Sequence, residues 1–588
     1  MKTFSMKSKN TYLFLFIFIA GLTVSCDLDP TAVNTFDDEA TWSFPDYAEG
    51  VLMNAYANIP QRVTNYNDNF LDVATDNAVT NSYGTGIYEV AVGGISPTLN
   101  PVGRWNTAYD QFRNIHLFLD RGLSENVTYN LTDSVADAEY RSRLKGEAYF
   151  LRAYWGFQLL QEYGGKANNG KALGYPITTR TPTDEELNNP QNTTRNTYLE
   201  CVQQISDDLD TAMVYLPVRY SGSSTITGVS GLGRGDDQIA LALKSRLMLY
   251  AASPAYQDDS VTSLDGMGSF TVLDEGFYNA RWIMAAQAAQ EALDIIGNVP
   301  GLKESDFNPN NTPGEYIWRK YHNDRVLENQ NFPPVDFGNG NTSPSQNLVD
   351  AFPAQNGFPI TDARSNYDPA DPYANRDPRF YLNIMYNGRD FLGDPLETFE
   401  GGVDSRAESP NATRTGYYLR KWLALQDLLN RQNPSTAHHY HALIRRTEVL
   451  LNFAEASNEA WGPSAVGPGM SMSALDAIKK VRSNAGISDA TYVEEVAAMG
   501  KADFRTLLQN ERRIELAFEN HRFFDMRRWF LPLDTQVQGI KITEQQDGSL
   551  NYEKYNVEER GFKDLRDYYL PLPYEEQIKS DLINNMGW

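Results

Sequence analysis

The chain of 588 residues carries 76 acidic and 51 basic side chains, for a formal charge of −25, and its mean hydropathy is −0.49. Non-specific binding to DNA or RNA depends on Lys and Arg displacing counterions from phosphates, so we expect no nucleic-acid partner for so acidic a chain. Only two cysteines are present, Cys26 and Cys201. This number excludes a disulfide framework and any metal site built from three or four cysteines.

The first 26 residues have the pattern of an export signal. Lysines before residue 10 precede an apolar segment, residues 12–20, and small residues then lead to Cys26. Because this segment is too short to span a bilayer, we predict that residues 1–25 are a lipoprotein signal peptide and that Cys26 is acylated. Several acyl chains would give a stable anchor, whereas one chain binds only marginally. The alternative is a plain secretory signal with an incidental cysteine. No later run approaches ~18 apolar residues, so we expect no transmembrane helix in the mature chain.

Most of the remaining chain has the 3.6-residue periodicity of amphipathic helices. The strongest runs begin after capping residues and stop at Gly, Pro or Ser-Pro, and they cover residues 136–163, 197–216, 237–252, 278–296, 443–460, 472–485 and 504–520. Short turns between helices, with Ala at contacts and aromatic residues filling gaps, are typical of tetratricopeptide-like helical hairpins. The sequence therefore predicts a mostly α fold, with a helical scaffold over about 30–296 and 434–588.

Two segments differ from the rest of the chain in composition and lack its helical periodicity. Residues 297–433 and residues 64–102 are rich in Pro, Gly, Asn and Asp, and few periodic runs survive in them. More than 130 residues cannot form one bare loop in a compact protein. We therefore predict that residues 297–433 are an ordered insertion with short strands and helices, packed on the scaffold within a single domain of residues 26–588.

The sequence contains no common catalytic motif and one cluster of histidines. The chain has no Gly-x-Ser-x-Gly elbow, no phosphate-binding loop and no His-Glu-x-x-His pair, so we predict that it has no catalytic residues and is not an enzyme. Residues 438–441 contain three histidines, which we interpret as a polar strand or loop before a helix, with a metal site as the alternative. Calcium is compatible with the many aspartates, but no EF-hand-like loop assigns it, and no cofactor is predicted. Cys201 is expected to be a small buried hydrophobic residue.

Several segments together resemble one protein family, the SusD/RagB family of surface lipoproteins. The matching residues are Cys26, Trp105 with Tyr109, and residues 145–155, 345–352, 376–380, 445–456, 510–519, 522–529, 570–575 and 585–588. The resemblance implies a tetratricopeptide-like scaffold, no catalytic activity and lipid anchoring at the outer membrane, exposed to the cell surface. It also implies that the protein captures oligosaccharides and delivers them to a SusC-like TonB-dependent barrel. A peptide cargo in the same system stays open, and a secreted carbohydrate-active enzyme is a weaker alternative.

The loop-rich segments are where we expect the ligand, because the family places its ligand side in such loops. Sugar rings stack on flat aromatic faces, and Asp, Asn, Gln and Arg bind hydroxyl groups. Residues of these types in the first segment are Asp72, Asp76, Asn77, Tyr83 and Tyr88, and in the second they are Tyr316, Trp318, Arg319, Tyr321 and Phe332. If residues 315–321 are extended, Tyr316 and Trp318 share one face and could hold adjacent sugar units.

Overall fold

Helices are the main regular elements of the structure and make up about 46% of it. The protein is represented by a computed structural model that describes residues 38–257, 275–424, 436–562 and 565–588. In chain order its α-helices are α1 (Asp38–Thr41), α2 (Pro45–Ala57), α3 (Gly86–Ala91), α4 (Trp105–Leu117), α5 (Ser134–Tyr163), α6 (Asp184–Asn188), α7 (Tyr198–Tyr215), α8 (Asp237–Ala252), α9 (Glu275–Ile296), α10 (Val326–Asn331), α11 (Gln346–Ala351), α12 (Pro378–Asn383), α13 (Arg446–Trp461), α14 (Ala474–Asn484), α15 (Thr491–Met499), α16 (Lys501–Glu515), α17 (Arg522–Arg528) and α18 (Tyr574–Ser580).

The strands are short and pair two by two. They are β1 (Ala78–Thr80), β2 (Gly165–Lys166), β3 (Ala172–Leu173), β4 (Tyr316–Asp324), β5 (Thr342–Pro344), β6 (Ile384–Met385), β7 (Asp390–Phe391), β8 (Asp394–Pro395), β9 (Tyr418–Leu419), β10 (Ala437–Arg445), β11 (Gln536–Glu544) and β12 (Leu550–Glu559). The antiparallel pairs are β1–β5, β2–β3, β4–β10, β6–β9, β7–β8 and β11–β12.

The helix boundaries follow the capping chemistry of the sequence. The Asp133 carboxylate accepts backbone N–H bonds at the start of α5, and Thr197 forms a reciprocal capping box with Glu200 at the start of α7. Asp236 caps α8, which ends before Ser253 and Pro254. Helices therefore lie where the periodicity predicted them at residues 136–163, 197–216 and 237–252.

Neighbouring helices pack in succession, which confirms the predicted mostly α, tetratricopeptide-like scaffold. The chain of contacts runs from α4 through α5, α7, α8 and α9, and then reaches α13 beyond the insertion. Ala285, Ala286, Ala289 and Ala292 of α9 are buried, and small side chains of this kind let helices approach closely. One continuous hydrophobic core extends from Leu52 to Leu582.

The segment 297–433 contains short strands and helices, as predicted, and it is joined to the scaffold through the β4–β10 pair. The limits of the single domain stay a prediction. The signal peptide over residues 1–25 and the lipidation site Cys26 lie outside the described residues. Within the described ranges, no helix combines the length and the apolar character needed to cross a membrane.

Four local predictions concern two helix boundaries, the histidine cluster and Cys201. The helix predicted over 443–460 begins only at Arg446, because residues before it form β10, and the helix predicted over 504–520 already ends at Glu515. His439 and His441 are buried in β10, and in the described part of the chain no group of three His, Cys, Asp or Glu side chains is arranged to hold a metal ion. Cys201 is fully buried, as expected.

Candidate functional site

A tight turn between α2 and β1 brings two polar side chains to the surface. Asn67 and Asp68 both have left-handed backbone conformations, with φ of 52° and 60°. The backbone N–H of Tyr66 donates to the carbonyl of Asn69 at 3.3 Å, and that of Asn69 donates back at 3.2 Å. A two-residue turn of this kind needs positive φ at both central positions, which Asn and Asp tolerate better than most residues. The turn therefore presents two exposed polar side chains side by side.

The β1–β5 pair joins the two loop-rich segments. Its antiparallel register sets Thr80 opposite Thr342, so the residues just beyond the pair, Asn81 and Asn341, also meet. The backbone N–H of Asn81 donates to the carbonyl of Asn341 at 2.9 Å. The pairing thus carries side chains of the first segment to the edge of the insertion.

The loop before β5 folds back onto α10. Backbone N–H groups of Asn339, Gly340 and Asn341 donate to carbonyl groups of residues 329, 332 and 330, at 3.0, 3.0 and 2.9 Å. These bonds hold residues 339–341 against the end of the helix, where Gln330 lies.

These elements surround a polar cavity of about 470 Å³, which we call the amide basin. It is lined by Asn67, Asp68, Asn81, Ser82, Thr85, Gln330, Asn339, Asn341 and Asn411. All nine residues belong to the two segments that the sequence identified as loop-rich. Asp68 is the one ionisable side chain in this lining set, and the rest of the polar surface consists of amides and hydroxyls.

Some of the side-chain amides in the lining are used in hydrogen bonds that hold the wall of the basin together. The Asn81 side-chain amide donates to the carbonyl oxygens of Gly340, Asn411 and Ala412 at 2.7, 2.9 and 3.2 Å. Its Oδ1 accepts a hydrogen bond of 2.9 Å from Arg406. Asn81 therefore fastens three parts of the wall together and has little capacity left for a ligand.

Other groups in the basin remain free to bind. The side chains of Asp68, Asn339 and Asn411 are exposed and make no hydrogen bond to any other residue that the structure describes. A carboxylate accepts hydrogen bonds, and an amide both donates and accepts. This combination suits a ligand that is rich in hydroxyl groups.

Two exposed aromatic residues are close in the chain to residues that line the basin. Tyr83 follows the lining residue Ser82 and is 51% exposed. Its ring is supported by the Arg414 guanidinium, 4.9 Å from the ring centroid, and by the edge of Tyr88 at 5.1 Å. Phe337, two residues before Asn339, is 70% exposed and has a left-handed φ of 64°. A bulky residue in this conformation is uncommon, and such strain concentrates at functional sites.

A larger cavity of about 810 Å³ lies elsewhere, beside α4, the segment 176–194 and α18. Trp105 in its wall belongs to the hydrophobic core, and the Tyr109 hydroxyl is occupied by the carbonyl of Pro176 at 2.7 Å. No residue of either loop-rich segment is among those that line this cavity. We therefore take the amide basin as the candidate site.

The polar residues Asp72, Asp76 and Asn77, which the sequence suggested as ligand-binding, are buried instead. Asp72 accepts hydrogen bonds from Asn77 and from the backbone N–H groups of Phe518 and Asn520, at 2.9, 3.0 and 3.3 Å. Burial raises the pKa of its carboxyl group. These contacts use the side chain inside the protein, so we correct the expectation that it meets a ligand.

Asp76 is held by two arginines. Arg522 makes two hydrogen bonds of 2.9 Å to its carboxylate, and Arg513 approaches to 3.0 Å. Although burial acts in the opposite direction, the two guanidinium groups hold the pKa of the Asp76 carboxyl well below its usual range. Arg513 also donates to the side-chain oxygen of Asn77 at 2.8 Å. The expectation of ligand binding by Asp76 and Asn77 is corrected for the same reason.

The expected aromatic pair is also buried. Tyr316 and Trp318 lie on one extended strand, β4, as the sequence predicted, but the strand directs them into the core. Trp318 is 1% exposed, its ring meets Phe150 and Tyr154 at 5.2 and 5.1 Å, and its indole N–H donates to the carbonyl of Gly233 at 3.0 Å. No ring face is left for a sugar. The prediction is corrected for both residues.

The remaining predicted residues lie in three different places. Phe332 is buried against Phe391 and is likewise corrected. Arg319 and Tyr321 are on the β4–β10 pair, where each contacts Tyr440, and neither lines the basin. Tyr83 and Tyr88 are close in the chain to the lining residues Ser82 and Thr85, and their role in binding stays a prediction.

Sequence reasoning missed all nine lining residues. The signal that could have identified them is the density of Asn in short turns, at residues 65–69 and 339–341. Asn and Asp are frequent in turns for backbone reasons alone, so this composition by itself does not distinguish a binding site.

Comparison with known proteins identifies relatives along most of the chain. A model of the SusD family matches residues 303–588, and a model described as "Starch-binding associating with outer membrane" matches residues 34–228. SusD-like protein P25 of Formosa agariphila is 26% identical over 315 residues, which are 50% of this chain and 53% of that protein. SusD-like protein P2 of the same organism is 30% identical over 149 residues, 25% of each chain. The chain thus spans about half and a quarter of the lengths of these two relatives.

Solved structures share the whole architecture. A SusD-like protein from Bacteroides fragilis superposes with a TM-score of 0.69 at 22% identity, covering 94% of this chain and 99% of the other. A SusD-like carbohydrate binding protein from the same species gives a TM-score of 0.66 at 21% identity, with coverage of 92% and 99%. A laminarin binding SusD-like protein gives 0.55 at 18% identity, again covering 92% and 99%. At these identities the likeness shows the fold.

Proposed function

The chain belongs to the SusD/RagB family, and we propose that it is a glycan-binding protein that captures oligosaccharides in the amide basin. The single observation that carries this proposal is the composition of the basin. Unengaged polar groups at Asp68, Asn339 and Asn411 line it, and the exposed residues Tyr83 and Phe337 are close in the chain to lining residues. Hydroxyl groups pair with amides and carboxylates, and the apolar face of a sugar packs on an aromatic ring.

The proposal extends to the cellular setting. Acylation of Cys26 would anchor the chain at the outer membrane, in keeping with the outer-membrane association in the description of the family model. We propose that a SusC-like TonB-dependent barrel receives the captured glycan, and that the protein performs no chemistry on it. The carbohydrate-binding and laminarin-binding relatives among the solved structures support a saccharide cargo over a peptide.

Isothermal titration of the mature chain with a panel of oligosaccharides tests the proposal. The double variant Asn339→Ala/Asn411→Ala removes two free amides from the basin. Each net hydrogen bond contributes about 1 kcal/mol, so affinity should fall roughly thirtyfold while the melting temperature is unchanged. The matched control is Asn298→Ala/Asn310→Ala, which removes two exposed amides outside the basin. Equal affinity of both double variants and the parent protein would refute this assignment, and binding of peptides alone would favour the peptide cargo.

A further inference from the structure

Gln330 is an exception among the polar residues of the basin. It lies near the end of α10, is only 8% exposed and lines the cavity. Its Oε1 is buried without a hydrogen-bond partner, whereas its Nε2 is not fully buried and donates to no group in the described part of the chain.

The surroundings show that this lack of partners is specific to the side chain. The backbone carbonyl of Gln330 accepts the N–H of Asn341 at 2.9 Å, so the main chain at this position is used in the fold. The next residue, Asn331, is also buried and its Oδ1 likewise has no partner, but its amide nitrogen donates to the carbonyl of Leu327 at 3.0 Å. A buried polar group without a partner is costly, and native proteins keep few of them. An amide left open at the wall of a cavity is therefore poised to meet a ligand.

The charges of the basin define the chemistry of that ligand. Among the nine lining residues there is no Lys or Arg, and Asp68 carries the one negative charge. Arg406, the cation next to the wall, directs one nitrogen to Asn81 Oδ1 at 2.9 Å and to the carbonyl of Ala412 at 3.0 Å. A sulfate or carboxylate in the basin would meet the Asp68 carboxylate, with no cation in the lining to compensate its charge.

We propose that Gln330 is a specificity-determining residue whose amide binds the hydroxyl groups of an uncharged sugar unit. This inference rests on the proposed function, because it assigns the class of sugar to the same basin. At the cavity wall Nε2 donates to a hydroxyl oxygen of the sugar. A site built to hydrogen-bond such groups discriminates strongly against ligands that lack them, because its own buried polar atoms are then left unpaired.

The test uses Gln330→Met, which keeps the length of the side chain and removes the amide. The mature chain is titrated with laminarihexaose, maltohexaose, cellohexaose and xylohexaose as uncharged probes, and with hexagalacturonate and a sulfated carrageenan hexamer as acidic probes. We expect at least one uncharged probe to bind more tightly than either acidic probe, and Gln330→Met to weaken that binding at least tenfold. The melting temperature should stay equal or rise, since no protein hydrogen bond is lost.

The control is Asn331→Leu, in which a buried amide outside the basin is removed. It should lower the melting temperature, because its hydrogen bond to Leu327 is lost, and leave the affinity within twofold of the parent. If Gln330→Met does not fold, Gln330→Ala removes the same amide without steric conflict and should show the same tenfold loss.

The outcomes separate this inference from the proposed function. If the parent binds uncharged probes and Gln330→Met binds them equally well, the role of Gln330 is overturned and glycan binding stands. If acidic probes bind more tightly, the assigned class of sugar is wrong. If the parent binds none of the six probes, the proposed function fails and the inference fails with it.

Discussion

Replacement of Tyr83 by alanine tests whether an exposed ring beside the basin holds the sugar. The ring is 51% exposed, so one face is available to a ligand. A sugar covering roughly 60 Å² of that face at about 25 cal/mol per Å² contributes about 1.5 kcal/mol, which corresponds to roughly a tenfold loss of affinity in Tyr83→Ala. The variant also loses the contacts with Arg414 and Tyr88, which together should reduce the free energy of unfolding by about 1 kcal/mol.

Calorimetric titration with the tightest oligosaccharide, combined with a thermal melt, measures both effects. The matched control is Tyr321→Ala, since Tyr321 is 43% exposed and lies outside the basin. The reasoning is refuted if Tyr83→Ala binds within twofold of the parent, or if Tyr321→Ala loses as much affinity as Tyr83→Ala.

Two further predictions concern buried residues. Trp318→Ala should lower the free energy of unfolding by about 3–5 kcal/mol in a denaturant titration and leave the affinity of the folded protein unchanged, because the ring packs in the core. Burial lowers the pKa of His116 to about 4, below the value of 6.5 in the unfolded chain. At a pH between these two values the chain takes up a proton when it unfolds. The free energy of unfolding therefore falls as the pH drops from 7.5 to 5. His116→Phe should remove up to about 2 kcal/mol of that loss, as measured by unfolding at both pH values; an equal loss in the variant and the parent would contradict the assignment. Other histidines with lowered pKa values, His441 and His521, retain their share of the loss in both proteins.

The sequence was sufficient for much of the scaffold, because local signals determine where its helices begin and end. The helix predicted over 237–252 has these bounds in the structure, since Asp236 caps its start and Ser253-Pro254 follows its end. The same reasoning gave the wrong end for the helix predicted over 504–520. Phe518 and Asn520 adopt left-handed conformations there, and their N–H groups donate to Asp72. A contact between residues more than 440 positions apart has no local signal in the sequence.

The same contact explains why Asp72 was misassigned. A carboxylate in a loop-rich segment has the chemistry to bind hydroxyl groups, but here it accepts two backbone N–H groups that follow α16. Asp76 is likewise used to bind Arg513 and Arg522, near the other end of the chain. Asp72 and Asp76 thus join the first loop-rich segment to the helical scaffold.

Two asparagines of the basin show where sequence reasoning reaches its limit. Asn81 and Asn339 have the same side chain and line the same cavity. Asn81 donates to three carbonyl groups and accepts from Arg406, whereas the side chain of Asn339 makes no hydrogen bond within the described residues. A polar side chain is available to a ligand only when the fold has not already supplied its partners, because a group satisfied inside the protein must break those bonds to bind. Residue type identifies which groups have the chemistry for binding, and the tertiary structure decides which of them remain free to use it.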